Sequence, residues 1–150
     1  MFAINIPLDS LRVDARAPEL HLHGQTWITI DGHDFPERHW ADSPLSFLGS
    51  LRAAIREAAG GEEADFYFWE GAYFVKLVPR PDGVAVFAVH DADLDEGGAV
   101  EASCVSTLGE LGRLYQAEVS RLMEWAQRHQ ERDLRAFLAR ILPLSELDRP

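Results

Sequence analysis

Three sets of side chains have the types and spacing that chemistry requires. His21 and His23 alternate within Glu19–His23, so a strand there puts both imidazoles on one face, where two nitrogens can share a zinc ion. His33 and His39 follow shortly after, and His90 ends a later apolar run. A zinc centre also needs a third ligand and an open position, and the spacing fixes neither. Ordinary surface or half-buried histidines are the expectation, and no metal is assigned. Asp91, Asp93 and Asp95 have the alternating carboxylates of a calcium loop, whose oxygens wrap a hard cation. The pattern then breaks. Its sixth residue is Glu96 where such a loop turns on glycine, its twelfth is Ala102 where a bidentate Glu belongs, and a strand rather than a helix precedes it. A solvated acidic turn is expected. Cys104, the single cysteine, has no signature motif beside it and reads as a buried structural thiol.

The chain has no G-x-G-x-x-G, no G-x-x-x-x-G-K-[ST], no G-x-S-x-G and no H-E-x-x-H. Glu37 and Asp42 are paired acids in a loop without a catalytic frame. No catalytic residue and no cofactor is assigned, although an active site assembled from scattered residues stays open.

Any such residues are positioned by Asp65–Asp91, DFYFWEGAYFVKLVPRPDGVAVFAVHD, which reads as three antiparallel strands. Glu70-Gly71 forms a two-residue turn in which glycine supplies the positive φ. That turn sets Phe68 against Tyr73, Phe66 against Val75 and Asp65 against Lys76. Opposed residues point to one side, so Phe66, Phe68, Tyr73, Val75 and Leu77 form a continuous apolar face. Asp65, Tyr67, Trp69, Phe74 and Lys76 form a mixed one. Arg80-Pro81-Asp82-Gly83 makes the second reversal, adding Val84, Val86 and Ala88 to the apolar face and Phe87 and Val89 to the mixed face. The mixed face is too apolar to be left in water, so either a second layer or a partner covers it, and a second layer from the same chain is the expectation.

Short strands are expected over Phe2–Ile6, Glu19–His23, Thr26–Ile30 and His33–Phe35, with Asp31-Gly32 as a hairpin turn, extending or crossing the central sheet. Ser43 or Asp42 caps a helix running Pro44 to Ala59, with Phe47, Leu48, Leu51, Ile55 and Ala58 as its buried stripe and Gly60-Gly61 as its stop. Val100–Val105 is a further strand. A long helix starts after Thr107, with Leu108, Leu111, Tyr115, Val119, Leu122 and Ala126 as its stripe. The uniformly polar Gln127–Asp133 predicts a break, and a second amphipathic helix then runs to Pro143. The order is α+β: an antiparallel sheet built on the central meander, one helix before it and two C-terminal helices packed on it, in a single domain over residues 1–150.

The 150 residues carry 25 acidic against 14 basic side chains, a formal net charge of −11. Such a field repels nucleic acid and anionic membranes and favours a basic protein partner. No apolar run is long enough to cross a bilayer. The first residues lack a basic region followed by an apolar segment, and one cysteine makes no internal disulfide. A cytoplasmic location is therefore expected.

Two stretches, ITIDGHDFPERHWADSPLSFLGSL (Ile28–Leu51) and DFYFWEGAYFVKL (Asp65–Leu77), carry a resemblance. A Gly-x-x-Phe-Pro turn, then Trp and Asp before a helix, then an aromatic strand with a glycine-centred turn, is similar to small uncharacterised bacterial proteins, some of which look like immunity proteins of toxin systems. The resemblance implies a small cytosolic binding protein. The leading expectation is a non-enzymatic, acidic protein-binding module, in its sharpest version an immunity-like inhibitor of a basic toxin domain. Asp91, Asp93, Asp95 and Glu96 would form an acidic rim, with Trp40, Tyr67 and Trp69 as anchors. The alternative is a ligand-binding or enzymatic domain with its pocket between the mixed sheet face and the C-terminal helices, near His33, His39 and His90. Homodimerisation through the C-terminal helices is a third reading.

Overall fold

The computed structural model describes residues 1–14, 20–91 and 98–144. Its elements are β1 (Phe2–Asn5), β2 (Arg12–Asp14), β3 (His21–Gln25), β4 (Trp27–Ile30), β5 (His33–Phe35), β6 (Ala41–Asp42), α1 (Pro44–Ala59), β7 (Ala64–Tyr67), β8 (Tyr73–Arg80), β9 (Gly83–His90), β10 (Ala99–Ser106), α2 (Leu108–Arg128) and α3 (Arg132–Ile141). The fold is α+β, with every paired strand antiparallel.

The meander has the register that its turns dictate. Phe66 pairs with Val75 and Asp65 with Lys76, and Gly71 takes a φ of 74° at the first turn. Pro81-Asp82 closes the second turn, pairing Arg80 with Gly83 and Leu77 with Val86. β10 adds a fourth strand, giving the order β10-β9-β8-β7. Glu101 is an extra residue in β10, bulged between the pairs Val100–Val89 and Ala102–Ala88.

The early strands do not extend this sheet. They form two three-stranded sheets of their own, β1-β4-β5 and β2-β3-β6. Pro7 and a single 3₁₀ turn at Leu8–Ser10 interrupt the chain between β1 and β2, which separates the two ladders. Asp31 and Gly32, both at positive φ, close the β4–β5 hairpin. β2 and β6 are three and two residues long, too short for a period to show in the sequence.

α1 begins and ends where its caps require. The Ser43 hydroxyl accepts the Ser46 N–H, Pro44 occupies the first turn and Gly60 follows the last residue. Its stripe Phe47, Leu48, Leu51, Ile55 and Ala58 is buried against Phe66, Phe68 and Val75. The Thr107 hydroxyl caps α2 by accepting the Glu110 N–H at 3.1 Å. The polar break falls at residues 129–131, where Gln130 adopts a φ of 55° and the chain doubles back. α3 then lies along α2 and buries Leu134 and Leu138. Two side chains hold the segment after α3: Arg52 Nε donates to Pro143 O at 3.0 Å, and the buried Tyr115 hydroxyl donates to Leu142 O.

One core joins these parts. It contains Ile28, Phe35, Leu51, Phe66, Val75, Val86, Leu111, Tyr115 and Leu134, and from the meander it draws only the apolar face. All three helices contribute to it: α1 packs on β7 and β8, α2 on α1 and β1, and α3 on α2. Tyr67 and Trp69 on the mixed face stand exposed, so among the described residues no second layer covers them. The physical reason is that each helix has a single apolar stripe: α1 buries its stripe on β7 and β8, and α2 and α3 bury theirs on α1, β1 and each other.

Candidate functional site

Asp42 is the residue from which the site is built. It is 6% exposed, and its two oxygens accept four hydrogen bonds. Oδ1 takes the N–H of Ser43 at 2.6 Å and of Trp69 at 3.0 Å. Oδ2 takes the indole Nε1–H of Trp40 at 2.9 Å and the N–H of Glu70 at 3.2 Å. One carboxylate thus ties the segment leading into α1 to the β7–β8 turn, two parts of the chain 28 residues apart. Trp40 is half-buried, held at its nitrogen by Asp42 and on its ring by an edge contact to Tyr73 at 5.2 Å.

This clamp presents Trp69, which is 71% exposed, at the tip of the hairpin. Tyr67, 54% exposed, follows on the same side of β7, and its ring lies 5.8 Å from that of Phe74. Phe87 continues the row, with the Arg80 guanidinium 6.0 Å above its ring. Val100 and Val105 on β10 are 59% and 60% exposed. The outer sheet face is thus exposed at its two ends, at Trp69 and Tyr67 and at Val100 and Val105, while Phe74 and Phe87 between them are half-buried and Ala85 and Val89 buried. Burial, followed by the neighbouring Asp65 carboxylate, pushes the Tyr67 phenol up, so it stays neutral and serves as a hydrogen-bond donor.

On the other side of Trp69 lies a cleft of about 1260 Å³. It is lined by Arg12, His21 and His23 from β2 and β3, by Glu37, His39, Trp40 and Asp42 ahead of α1, and by Trp69 and Glu70 of the hairpin. His39 holds a φ of 64°, with Nδ1 2.9 Å from Gln25 Oε1 and its ring 5.2 Å from that of Trp27. Among the described residues, Asp9, Glu37, Asp42 and Glu70 line the cleft against the guanidinium of Arg12.

Of the anchors expected from the sequence, Tyr67 and Trp69 stand in the open and Trp40 is built into the clamp. Asp91 sits half-buried beside the same end of the sheet, its N–H donating to Ala72 O at 2.8 Å. Asp93, Asp95 and Glu96 lie outside the described residues. The histidines do not converge as a set. His21, His23 and His39 line the cleft; His33 is on β5, outside its lining; His90 stacks on Tyr73 at 4.4 Å. Among the described residues no three metal-ligating side chains come together. Cys104 is half-buried, and burial pushes its thiol up, away from the thiolate that a nucleophile needs.

Sequence reasoning missed two features. Asp42 reads as an alternative helix cap one residue before Ser43, and nothing local shows that its acceptors face a turn far along the chain. The cleft is assembled from four separated segments; its one legible sign is the pair His21 and His23 on a single strand face. A comparison with known protein families, curated proteins and solved structures finds no match for this chain.

Proposed function

We propose that this chain is a protein-binding module that docks a cationic protein partner on the outer face of its sheet. The observation that supports this best is the face itself: Tyr67 and Trp69 stand exposed and Phe74 and Phe87 half-buried, all outside the core, on a sheet whose other side packs on α1. Patches of this kind on a folded chain mark sites of association. Exposed tyrosine and tryptophan on a rigid strand supply large contact area at little entropic cost. Glu70 and Asp91 flank the hairpin end, and Asp93, Asp95 and Glu96 follow Asp91 directly in sequence. Together with the net charge of −11, they favour fast association with a basic surface. In its sharpest form the module is an immunity-like inhibitor of a basic toxin domain, a task that needs a rigid surface and no bond-making. The test is capture on immobilised protein, identification of what is held, and titration with that protein once purified. A basic protein bound by the parent chain is expected to lose about 30-fold in affinity to Tyr67→Ala/Trp69→Ala. It is also expected to release as salt is raised. Equal binding by the double variant contradicts the reading.

The cleft supports a second reading, that of a small-ligand site. Its two tryptophans and three histidines meet the general description of a pocket with an apolar wall and a few convergent polar groups. Saturable quenching of tryptophan emission by a small polar compound, lost in His39→Ala, would favour it. A flat response across a broad panel of such compounds leaves the protein-binding reading alone.

A further inference from the structure

The lining of the cleft beside Trp69 selects its occupant by charge, by ring chemistry and by size. Two indoles line it, Trp40 and Trp69. Both are set in place by Asp42, which accepts the Trp40 Nε1–H at 2.9 Å and the N–H groups of Trp69 and Glu70 at 3.0 and 3.2 Å. The Asp42 carboxylate is spent on its donors. Those of Asp9, Glu37 and Glu70 stand on exposed residues, and among the described residues no hydrogen bond or ion pair engages them. A cation gains at each of these three, whereas an anion is repelled. A guanidinium also lies flat on an indole while its N–H fork takes a carboxylate, so indoles beside free acids suit arginine above other groups. The volume of about 1260 Å³ exceeds the roughly 300–1,000 Å³ of a pocket that encloses a small ligand, which favours an extended segment.

We propose that the cleft takes an extended basic segment of the protein partner, with arginine or lysine side chains against the indoles of Trp40 and Trp69 and their charges paired with Asp9, Glu37 and Glu70. This occupant presupposes the docking of a basic partner proposed above, and gives that partner a stated chemistry at the hairpin end. Trp69 belongs both to the outer face and to the cleft lining, so a partner seated on Tyr67 reaches the cleft past the hairpin tip. Arg12 has the opposite effect. It stands across from His23 on β2, exposed, and repels a cationic guest. Its removal therefore spares the fold and tightens binding, a sign that a merely structural role would not produce.

The experiment is titration of the whole chain with tri-arginine amide, read by tryptophan emission, with tri-citrulline amide as the uncharged isostere. Tri-arginine is expected to saturate the signal and to bind more weakly as salt is raised, while tri-citrulline leaves the emission flat. Glu37→Gln and Glu70→Gln are each expected to weaken tri-arginine about threefold, and Arg12→Gln to tighten it by a similar factor. Glu63→Gln, the same change of charge on an exposed residue outside the cleft, is the control and is expected to shift it by less. A flat tri-arginine titration overturns the proposal. So does tri-citrulline binding as well as tri-arginine, or a loss in Glu63→Gln equal to that in Glu37→Gln, which would mean attraction by net charge alone. Saturation by spermidine with none by tri-arginine would assign the cleft to a small free amine and overturns it too. The outer face is judged separately: a captured basic partner that loses affinity in Tyr67→Ala and none in Glu37→Gln keeps the docking face and removes the cleft from it.

Discussion

Asp42 holds four donors with two oxygens. Alanine leaves those N–H groups without their acceptor in a buried place and is expected to cost about 3 kcal/mol in urea unfolding. Asparagine is expected to be nearly as damaging, because each oxygen of Asp42 faces two donors and an NH₂ group would meet one such pair. A loss below about 1 kcal/mol in either variant would remove Asp42 as the clamp. Tyr67 and Trp69 have the opposite signature. They are exposed, so Tyr67→Ala and Trp69→Ala are expected to change stability by no more than about 0.5 kcal/mol while reducing partner affinity. Glu118 is a third case. It is buried on α2, and desolvation pushes its carboxyl up in spite of Arg121 at 2.7 Å. A carboxyl raised in the folded state keeps its proton where the unfolded chain has lost it. Its contribution is therefore favourable at and below the ordinary carboxylate range and is lost as pH rises through the raised value. Glu118→Gln is expected to be more stable than the parent at neutral pH, with the gap closing in acid. A gap that widens in acid would contradict this sign.

At the level of elements, the sequence was legible where the period and the punctuation agreed. α1 starts at Pro44 and ends before Gly60 because a cap, a first-turn proline and a terminal glycine bracket an apolar stripe. The meander register follows from two turns, and the side of every strand residue follows from it. β2 and β6 were invisible because they are recruited by their partner β3 and have no pattern of their own. The outer face was misjudged for a related reason: alternation shows that a face is apolar, but not whether another element has a stripe left to cover it. α3 depends on the latch at its end. Tyr115→Phe removes the donor to Leu142 O from a buried site and is expected to cost about 1 kcal/mol. Arg52→Ala is expected to release Pro143. Hydrogen exchange should show faster opening of α3 in both variants, with the meander unchanged; equal acceleration of the meander would mean that the latch serves the whole core.

At the scale of the molecule, the charge balance and the open face act together. Charge was readable from composition; its placement was not. The cleft draws on residues from Pro7 to Glu70, and only the fold brings His21, His39 and Trp69 to one opening. Among the described residues no helix is long and apolar enough to cross a membrane, so the exposed apolar surface on this sheet is not part of a helical span. The central claim is that this face is open in the free chain and closed by a partner. Hydroxyl-radical footprinting measures both states directly. Tyr67, Trp69, Phe74 and Phe87 are expected to be modified in the free protein and protected when a captured basic partner is bound, while buried Tyr115 stays silent in both. If the four rings are already protected in the free chain, or remain reactive in the complex, the face is not the docking surface.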